Sequence, residues 1–321
     1  MRNKLGILYK LLIYLAIFIV ALSIIFFAIN ILLINQIKKN LAVTTQIESN
    51  IFIRFGLYWK NLLSGSFGKI YTHELNSANL SISYLYFNQF KWTILFTLLT
   101  FIFSLIIGNV LGVYIAYKYN KTPDIIINII VSIFATIPLI LIAIIALAFS
   151  FVFSYPSQFI SEFPFSLQSL LVPILIMSFG SISLFMARAR KITKEVITSN
   201  YYLFAKTIGM NFNQLFKKVL LKKLVINQLQ AIVPFYIILL SSSIVIERIF
   251  SIPGQSIFIS YAFKYAEINL IMFYFIINLI FLLITKFSLS IILDYINPEQ
   301  NSIANNFAFI KFDRKVRLWK K

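Results

Sequence analysis

The side chains that most often carry out chemistry are scarce in this sequence. It has one histidine, His73, and no cysteine, so the usual ligands of a zinc site are missing. Residues 64–70 (SGSFGKI) look faintly like a phosphate-binding loop, but that motif needs four residues between its glycines and Ser or Thr after its lysine. Two residues separate Gly65 from Gly68, and an isoleucine follows Lys69. The sequence therefore has no recognisable nucleotide site, and no Ser-His-Asp set can be assembled in its apolar segments.

A single lysine interrupts the last of several long apolar segments. Lys286 lies within the run Ile268–Leu293, and Ser290 and Asp294 follow it on nearly the same face of a helix. A lysine in the middle of a bilayer costs roughly 2.5–3.5 kcal/mol on insertion scales, so it faces protein or water, or extends to the membrane surface. Two interpretations stay open: Lys286 faces protein or water between the helices, or it reaches the inner membrane interface.

The composition identifies the environment in which these residues act. Hydrophobic residues make up 60% of the 321 residues, charged residues only 12%, and the mean hydropathy is +0.88. Soluble domains average about 45–50% apolar and about 25% charged residues, and they cannot hide so much apolar surface from water. This excludes an ordinary soluble enzyme, a disordered protein and a coiled coil. The composition therefore predicts an all-α polytopic membrane protein.

Six segments are long and apolar enough to cross a bilayer, whose hydrocarbon core of ~30 Å needs about 20 helical residues. They are Leu11–Ile34, Trp92–Tyr117, Ile125–Ser150, Leu170–Ala187, Leu224–Ile246 and Ile268–Leu293. The first exceeds the apolar core of a signal peptide and no clear cleavage site follows it, so we interpret it as a retained span.

Small residues and prolines mark positions of special packing within these spans. Gly108 and Gly112, with Ala116 four residues further on, predict a close approach of the second span to a neighbouring helix. Pro138 and Pro234 interrupt the third and fifth spans. Proline removes a backbone hydrogen bond, so a kink is predicted at each position.

The positive charge is distributed unevenly between the two sides of these spans. The net charge is +19, and most of the 29 Lys and Arg residues lie in every second connecting segment. These base-rich segments are 1–10, 118–124, 188–223 and 294–321, and the base-poor ones are 35–91, 155–169 and 247–267. The positive-inside rule then predicts a multi-pass protein of the plasma or inner membrane with both termini in the cytoplasm. It also explains the net charge without nucleic acid.

The long basic loop between the fourth and fifth spans contains a distinctive segment, residues 200–209 (NYYLFAKTIG). It resembles the cytoplasmic coupling loop of ABC importer permeases, whose loose signature is Glu-Ala-Ala, three residues and Gly. Ala205 and Gly209 agree with this signature, whereas Leu203 and Phe204 depart from it.

Two further segments carry the resemblance more specifically. Residues 245–254 (VIERIFSIPG) are similar to the Glu, Phe and Pro-Gly segment of the oligopeptide/dipeptide and nickel branch of these permeases. Residues 294–298 (DYINP) are similar to the closing segment of that branch, with Asn297 in place of its Asp. Tyr201 also fits the branch, and the likeness covers roughly residues 5–300. The sequence is therefore identified as a member of this permease branch.

The resemblance implies roles for two groups of residues. The residues implied to couple to an ATPase are Tyr201, Phe204, Ala205, Lys206 and Gly209. The residues implied to lie at the outer mouth or in the pathway are Glu247, Phe250, Pro253, Gly254 and Lys286. Tyr202 and Phe212 are further expected apolar anchors for the ATPase. Gly209 is expected to end the docking helix in a left-handed conformation.

The resemblance also implies the surroundings of the chain. One chain with six spans is half of a translocation pathway. The implied partners are a second homologous permease, two ABC ATPase subunits that hydrolyse ATP, an extracellular solute-binding protein and the lipid bilayer, but not nucleic acid. No catalytic residue, cofactor or metal is implied in this chain. The expected organisation is an N-terminal span plus extracellular loop (1–91), the importer transmembrane domain (92–300) and a basic cytoplasmic tail (301–321).

The substrate implied first is an oligopeptide or dipeptide. Nickel or a metal chelate is the alternative within the same branch. An ATP-independent secondary transporter is the alternative from another class, but it normally has more spans or an inverted repeat, and neither is visible here.

Overall fold

The computed structural model describes residues 2–72 and 81–296. Within these ranges the chain forms helices and connecting turns but no strand, which confirms the predicted all-α membrane fold. His73, Asn297 and the tail 301–321 lie outside the described residues.

The described residues form α-helices and one π-helical turn. The helices are α1 (Arg2–Leu32), α2 (Ile34–Lys39), α3 (Leu41–Thr44), α4 (Ile51–Leu63), α5 (Ile82–Tyr117), α6 (Thr122–Thr136), α7 (Leu139–Phe149), α8 (Phe165–Ile197), α9 (Asn200–Thr207), α10 (Phe212–Leu215), α11 (Leu221–Ile249), α12 (Gln255–Lys264) and α13 (Ile268–Ile296). The π-helical turn, Phe216–Leu220, joins α10 to α11.

Within residues 2–72 and 81–296, five helical segments are long and apolar enough to cross a membrane. They are Lys10–Leu32, Ile82–Tyr117, Phe165–Ile197, Phe212–Ile249 and Ile268–Ile296. These correspond to five of the six predicted spans, although α5 and α8 extend well beyond the apolar runs.

The third predicted span, Ile125–Ser150, is not one straight helix. α6 and α7 meet at an angle of 89°, with Pro138 between them, so the pair is either a broken span or a re-entrant segment. Ile137 and Pro138 both adopt extended ψ values, 130° and 129°. At Pro234, in contrast, α11 continues through the proline without a break. The sequence does not show at which proline the helix breaks. Proline leaves a backbone carbonyl without its helical hydrogen bond, and the neighbouring helices determine whether that carbonyl finds another partner.

The close helix packing predicted at Gly108 and Gly112 is confirmed. A Cβ atom added to Gly108 would lie 2.6 Å from the Cβ of Phe185, and one added to Gly112 would lie 2.5 Å from the carbonyl oxygen of Met186. Both neighbours are on α8, so the two glycines let the backbones of α5 and α8 approach each other. Ala116 is also fully buried.

Two apolar clusters organise the bundle. One joins α1, α4 and the start of α5 to α12 and α13, and it includes Phe26, Tyr86 and Phe273. The other joins α5, α7, α8 and α11 around Phe96 and Ile246. The end that holds α4 and α12 is here named the predicted outer end, and the end that holds α9 is named the predicted inner end.

Candidate functional site

The segment resembling a coupling loop folds as the short helix α9 at the predicted inner end. The helix ends in a left-handed turn: Gly209 has a φ of +90°. Its N–H donates to the carbonyl of Lys206 at 3.1 Å, and the N–H of Met210 donates to the carbonyl of Ala205 at 3.3 Å. These two bonds form a Schellman motif, which satisfies carbonyls that would otherwise lack partners. The left-handed conformation predicted for Gly209 is therefore confirmed.

The two faces of α9 have different surroundings. Tyr202 and Ala205 are buried against the chain's own helices, and the hydroxyl groups of Tyr202 and Tyr117 lie 3.2 Å apart. Tyr201 and Phe204 are exposed on the other face, with Phe204 67% accessible. The expectation that Tyr202 anchors a partner is therefore wrong, because its ring already fills the contact between α9 and α5. The sequence does not show which of Tyr201 and Tyr202 is buried, because the two are neighbouring residues of the same type.

Exposed groups beside α9 extend its apolar surface. Phe212, on α10, is 57% accessible and lies edge-on to the Tyr117 ring at a centroid distance of 5.4 Å. Lys223 places its Nζ atom 4.5 Å from the centroid of the Tyr201 ring. Lys206 is exposed on the last turn of α9. The described surface of this end thus combines apolar rings with positive charge, which fits a partner that offers an apolar cleft with an acidic rim.

An ion pair that the sequence analysis missed supports this end of the bundle. Asp124, at the start of α6, is 2% exposed, and Arg190 on α8 donates to it twice, at 2.8 and 2.7 Å. Asn120 and Asn128 donate further hydrogen bonds to the same carboxylate at 3.0 and 2.7 Å. The sequence signal that could have drawn attention to Asp124 is the Pro-Asp pair at the start of an apolar helix, a position that favours a carboxylate. The pair joins α6 to the part of α8 that leads into α9.

At the predicted outer end, Glu247 is buried in a polar network. Its side chain is 1% exposed. Oε1 accepts a hydrogen bond from the hydroxyl of Thr93 at 2.7 Å, and Oε2 accepts one from the N–H of Ser256 at 2.8 Å. The Thr93 hydroxyl also accepts from the N–H of Gln255 at 2.8 Å. Glu247 therefore ties the end of α11 to the start of α5 and to the first turn of α12.

The Phe, Pro and Gly residues that follow Glu247 close the turn between α11 and α12. Phe250 is 1% exposed, and its carbonyl accepts from the N–H of Phe159 at 3.0 Å. A Cβ atom on Gly254 would lie 2.4–2.6 Å from the carboxylate of Glu247, so a larger residue would displace a carboxylate that two hydrogen bonds hold in place. Pro253 is partly exposed beside it. The structure thus brings these four predicted residues together, whereas Lys286 lies elsewhere; their role at a mouth stays a prediction.

Lys286 lies on the outside of the described bundle. Its side chain is exposed, with Nζ 5.7 Å from the centroid of the Tyr14 ring on α1. Ser290 and Asp294 lie one and two turns further along α13, and both accept hydrogen bonds from Lys10 instead, at 2.8 and 2.5 Å. Lys10 therefore joins α1 to the end of α13, a partnership between distant residues that helix spacing could not reveal.

A small crevice lies where α6 and α7 meet the middle of α8 and α11. It measures about 260 Å³ and is lined in part by Gly180, Ser181, Ser183 and Ser242. A Cβ atom on Gly180 would meet nothing within 4 Å, so this side of α8 faces open space. Three serine hydroxyl groups therefore lie beside the break between α6 and α7, within a lining that is otherwise mostly apolar.

Comparisons with known proteins agree with this arrangement. Residues 108–302 match the family described as binding-protein-dependent transport system inner membrane component. The oligopeptide transport system permease protein OppB of Mycoplasma pneumoniae is 27% identical over 274 residues, which is 79% of this chain and 68% of that protein. The protein of the same name from Mycoplasma genitalium is 24% identical over 274 residues, 80% of this chain and 67% of that protein. The match extends over more than half of the chain and includes α9 and the segment Glu247–Gly254, and the chain belongs to the family of binding-protein-dependent transport system inner membrane components.

Proposed function

We propose that this chain is the permease subunit of an ATP-driven importer of oligopeptides. The observation that carries the proposal is α9, a short helix held to the bundle by one face with its other face exposed, in a membrane protein of the binding-protein-dependent family. Two relatives named as oligopeptide transport system permeases support peptides as the substrate class. The described residues contain no group of three His, Cys, Asp or Glu residues placed to hold a metal.

Coupling proceeds through α9 in this proposal. An ATPase subunit binds the exposed face that carries Tyr201 and Phe204, while Tyr202 and Ala205 keep the helix attached to α5 and α8. When the ATPase dimer closes on ATP, α9 moves with it. The bidentate Asp124–Arg190 pair then passes the displacement to α6, because two parallel hydrogen bonds fix the relative orientation of both side chains.

The broken span is the proposed pathway element. α6 moves with α8 at the inner end, so the junction at Pro138 absorbs the change in angle. The crevice beside it, with Gly180, Ser183 and Ser242, offers hydroxyl groups to the backbone of a peptide without demanding a particular side chain. Glu247 and its partners hold the outer ends of α5, α11 and α12 together during this motion.

The proposed assembly contains two permeases, two ATPase subunits and an extracellular solute-binding protein, which delivers substrate to the outer end. Both termini lie in the cytoplasm, residues 92–300 form the transmembrane domain and residues 1–91 add the first span and an outer loop. ATP hydrolysis takes place in the partner subunits, since the family is one of transport components.

The test is reconstitution of the permease with its co-purified partners in proteoliposomes. ATP-dependent uptake of labelled peptides, absent when this chain is omitted, is the expected result. Uptake of nickel ions in place of peptides contradicts the substrate class. Uptake by this chain alone, without ATP, contradicts the coupling proposal.

A further inference from the structure

A second cavity lies at the predicted outer end, apart from the crevice. It measures about 450 Å³ and lies between α4, the last turns of α1 and the start of α13. Asn30, Arg54 and Tyr58 are among its lining residues, together with Lys69. The rings of Phe26 and Tyr58 pack at 5.2 Å, so α4 rests directly on the membrane-spanning part of α1.

Polar atoms in this cavity lack partners in the described part of the chain. Nε and Nη1 of Arg54 and the hydroxyl of Tyr58 are buried without a hydrogen bond, and so is Oδ1 of Asn30. The Asn30 side chain is 1% exposed, and its amide nitrogen is already used by the carbonyl of Phe26 at 2.8 Å. The site therefore presents at least two kinds of donor and one acceptor that are available to a ligand.

The chain's own carboxylates do not satisfy Arg54 within the described ranges. Glu267 is engaged elsewhere: it accepts from the N–H of Thr72 at 2.6 Å and from that of Tyr71 at 2.9 Å. Glu48 lines the cavity, but no ion pair joins it to Arg54. Burial lowers the pKa of the Arg54 guanidinium and raises the pKa of the Tyr58 hydroxyl. Buried charges usually have a compensating partner, and among the described residues no carboxylate forms an ion pair with Arg54.

The location of the cavity indicates which kind of anion could bind Arg54. α4 exposes Phe52, Ile53 and Leu57, an apolar face beside a membrane-spanning helix. A helix with such a face lies in the plane of the membrane interface, at the depth of lipid headgroups. We propose that the cavity binds the headgroup of a phospholipid, whose phosphate accepts hydrogen bonds from Arg54 and Tyr58. A hydroxyl on the headgroup would donate to Oδ1 of Asn30, which favours phosphatidylglycerol.

The test measures lipid retained by the full-length chain purified in detergent. Native mass spectrometry counts the phosphatidylglycerol bound after delipidation and titration with that lipid. Arg54→Gln is expected to weaken retention about tenfold, since it removes charge-assisted hydrogen bonds, and Tyr58→Phe is expected to weaken it less. Lys60→Gln is the matched control, because Lys60 is an exposed base on the same helix that does not line the cavity.

The outcomes distinguish the possible ligands. If the Arg54→Gln and Lys60→Gln variants retain equal amounts of phosphatidylglycerol, the proposed lipid site at Arg54 is wrong. Release of the bound lipid by millimolar inorganic phosphate, or by peptides with a free but not an amidated C-terminus, overturns its assignment to a lipid. Arg54→Lys, which keeps the charge, is expected to retain more lipid than Arg54→Gln. If both variants lose lipid, and after delipidation both unfold at a lower temperature than delipidated Lys60→Gln, the role of Arg54 is structural and the proposal fails. Lipid counting needs no transport, so it stands or falls independently of the proposed function.

Discussion

The carboxylate of Glu247 accepts a hydrogen bond from the hydroxyl of Thr93 at 2.7 Å, although the two residues are 154 positions apart. The bond joins the last turn of α11 to the first half of α5, and both side chains are almost fully buried. Gly254 packs directly against the same carboxylate. A glycine at this position of the Pro-Gly turn therefore leaves space for the hydrogen bond between Glu247 and Thr93.

We expect Gly254→Ala to destabilise the permease. The added methyl group would overlap the carboxylate of Glu247, and overpacking of this kind typically costs about 1–3 kcal/mol. Thermal unfolding in detergent measures the effect. Gly56→Ala is the control, since a Cβ atom there meets nothing within 4 Å; a destabilisation as large at Gly56 contradicts the steric explanation.

Phe204→Ala is expected to weaken binding of the ATPase without affecting the fold. The ring is 67% accessible, so the chain itself loses little, whereas an interface anchor typically contributes about 1–2 kcal/mol, roughly tenfold in affinity. Co-purification of ATPase subunits measures the change. Phe151→Ala removes an exposed ring at the opposite end of the bundle. The same loss of ATPase with both variants argues against docking at α9.

Substitutions at Gly209 separate backbone conformation from side-chain contact. With φ at +90° and open space around the Cβ position, Gly209→Val meets only the conformational penalty of roughly 1–2 kcal/mol. Gly209→Asn is expected to retain more transport, because asparagine tolerates the left-handed region better. Peptide uptake normalised to membrane content gives the comparison, and equal activity for both variants speaks against a required left-handed turn.

The two ion pairs of the predicted inner end are expected to respond differently to neutralisation. Asp124→Asn leaves Arg190 without its partner; breaking a buried pair costs about 3–5 kcal/mol, and we expect about 1–3 here because the Arg190 side chain is 30% exposed. Asp294→Asn breaks a pair whose side chains are 34% and 40% exposed, so about 1 kcal/mol or less is expected. Chemical unfolding of both variants tests the order, and the reverse order would refute it.

The crevice can be probed with single cysteines, because the natural chain has none. Ser183→Cys and Ser242→Cys are expected to react with a small charged thiol reagent, and peptide substrate is expected to slow the reaction severalfold. Ser241→Cys, on the exposed side of α11, is the control and is expected to be insensitive to substrate. Protection at Ser241 but not at Ser183 would place the pathway on another face.

Sequence alone predicted the membrane-spanning helices, the Gly108–Gly112 contact and the left-handed turn at Gly209. Each depends on local chemistry: apolar length, small residues at helical spacing, and a position that favours glycine. The sequence also predicted a short helix in this loop, but not which of its faces is exposed. Whether Tyr201 or Tyr202 faces outward depends on how α9 sits against α5, and adjacent aromatic residues carry no local signal of that choice.

Other features were decided only by tertiary structure. Lys10 donates to Ser290 and Asp294, and Arg190 pairs with Asp124. α6 and α7 are separated by a sharp bend at Pro138, whereas α11 continues as one helix through Pro234. In each case the outcome depends on which distant helix supplies the missing hydrogen bond or charge. The sequence by itself determined that these segments enter a membrane, because the free energy of transferring a segment into lipid is close to the sum over its own side chains. Only the tertiary structure decided which polar groups pair within the bundle, because a buried charge pairs with a group that the packed helices place within hydrogen-bond distance.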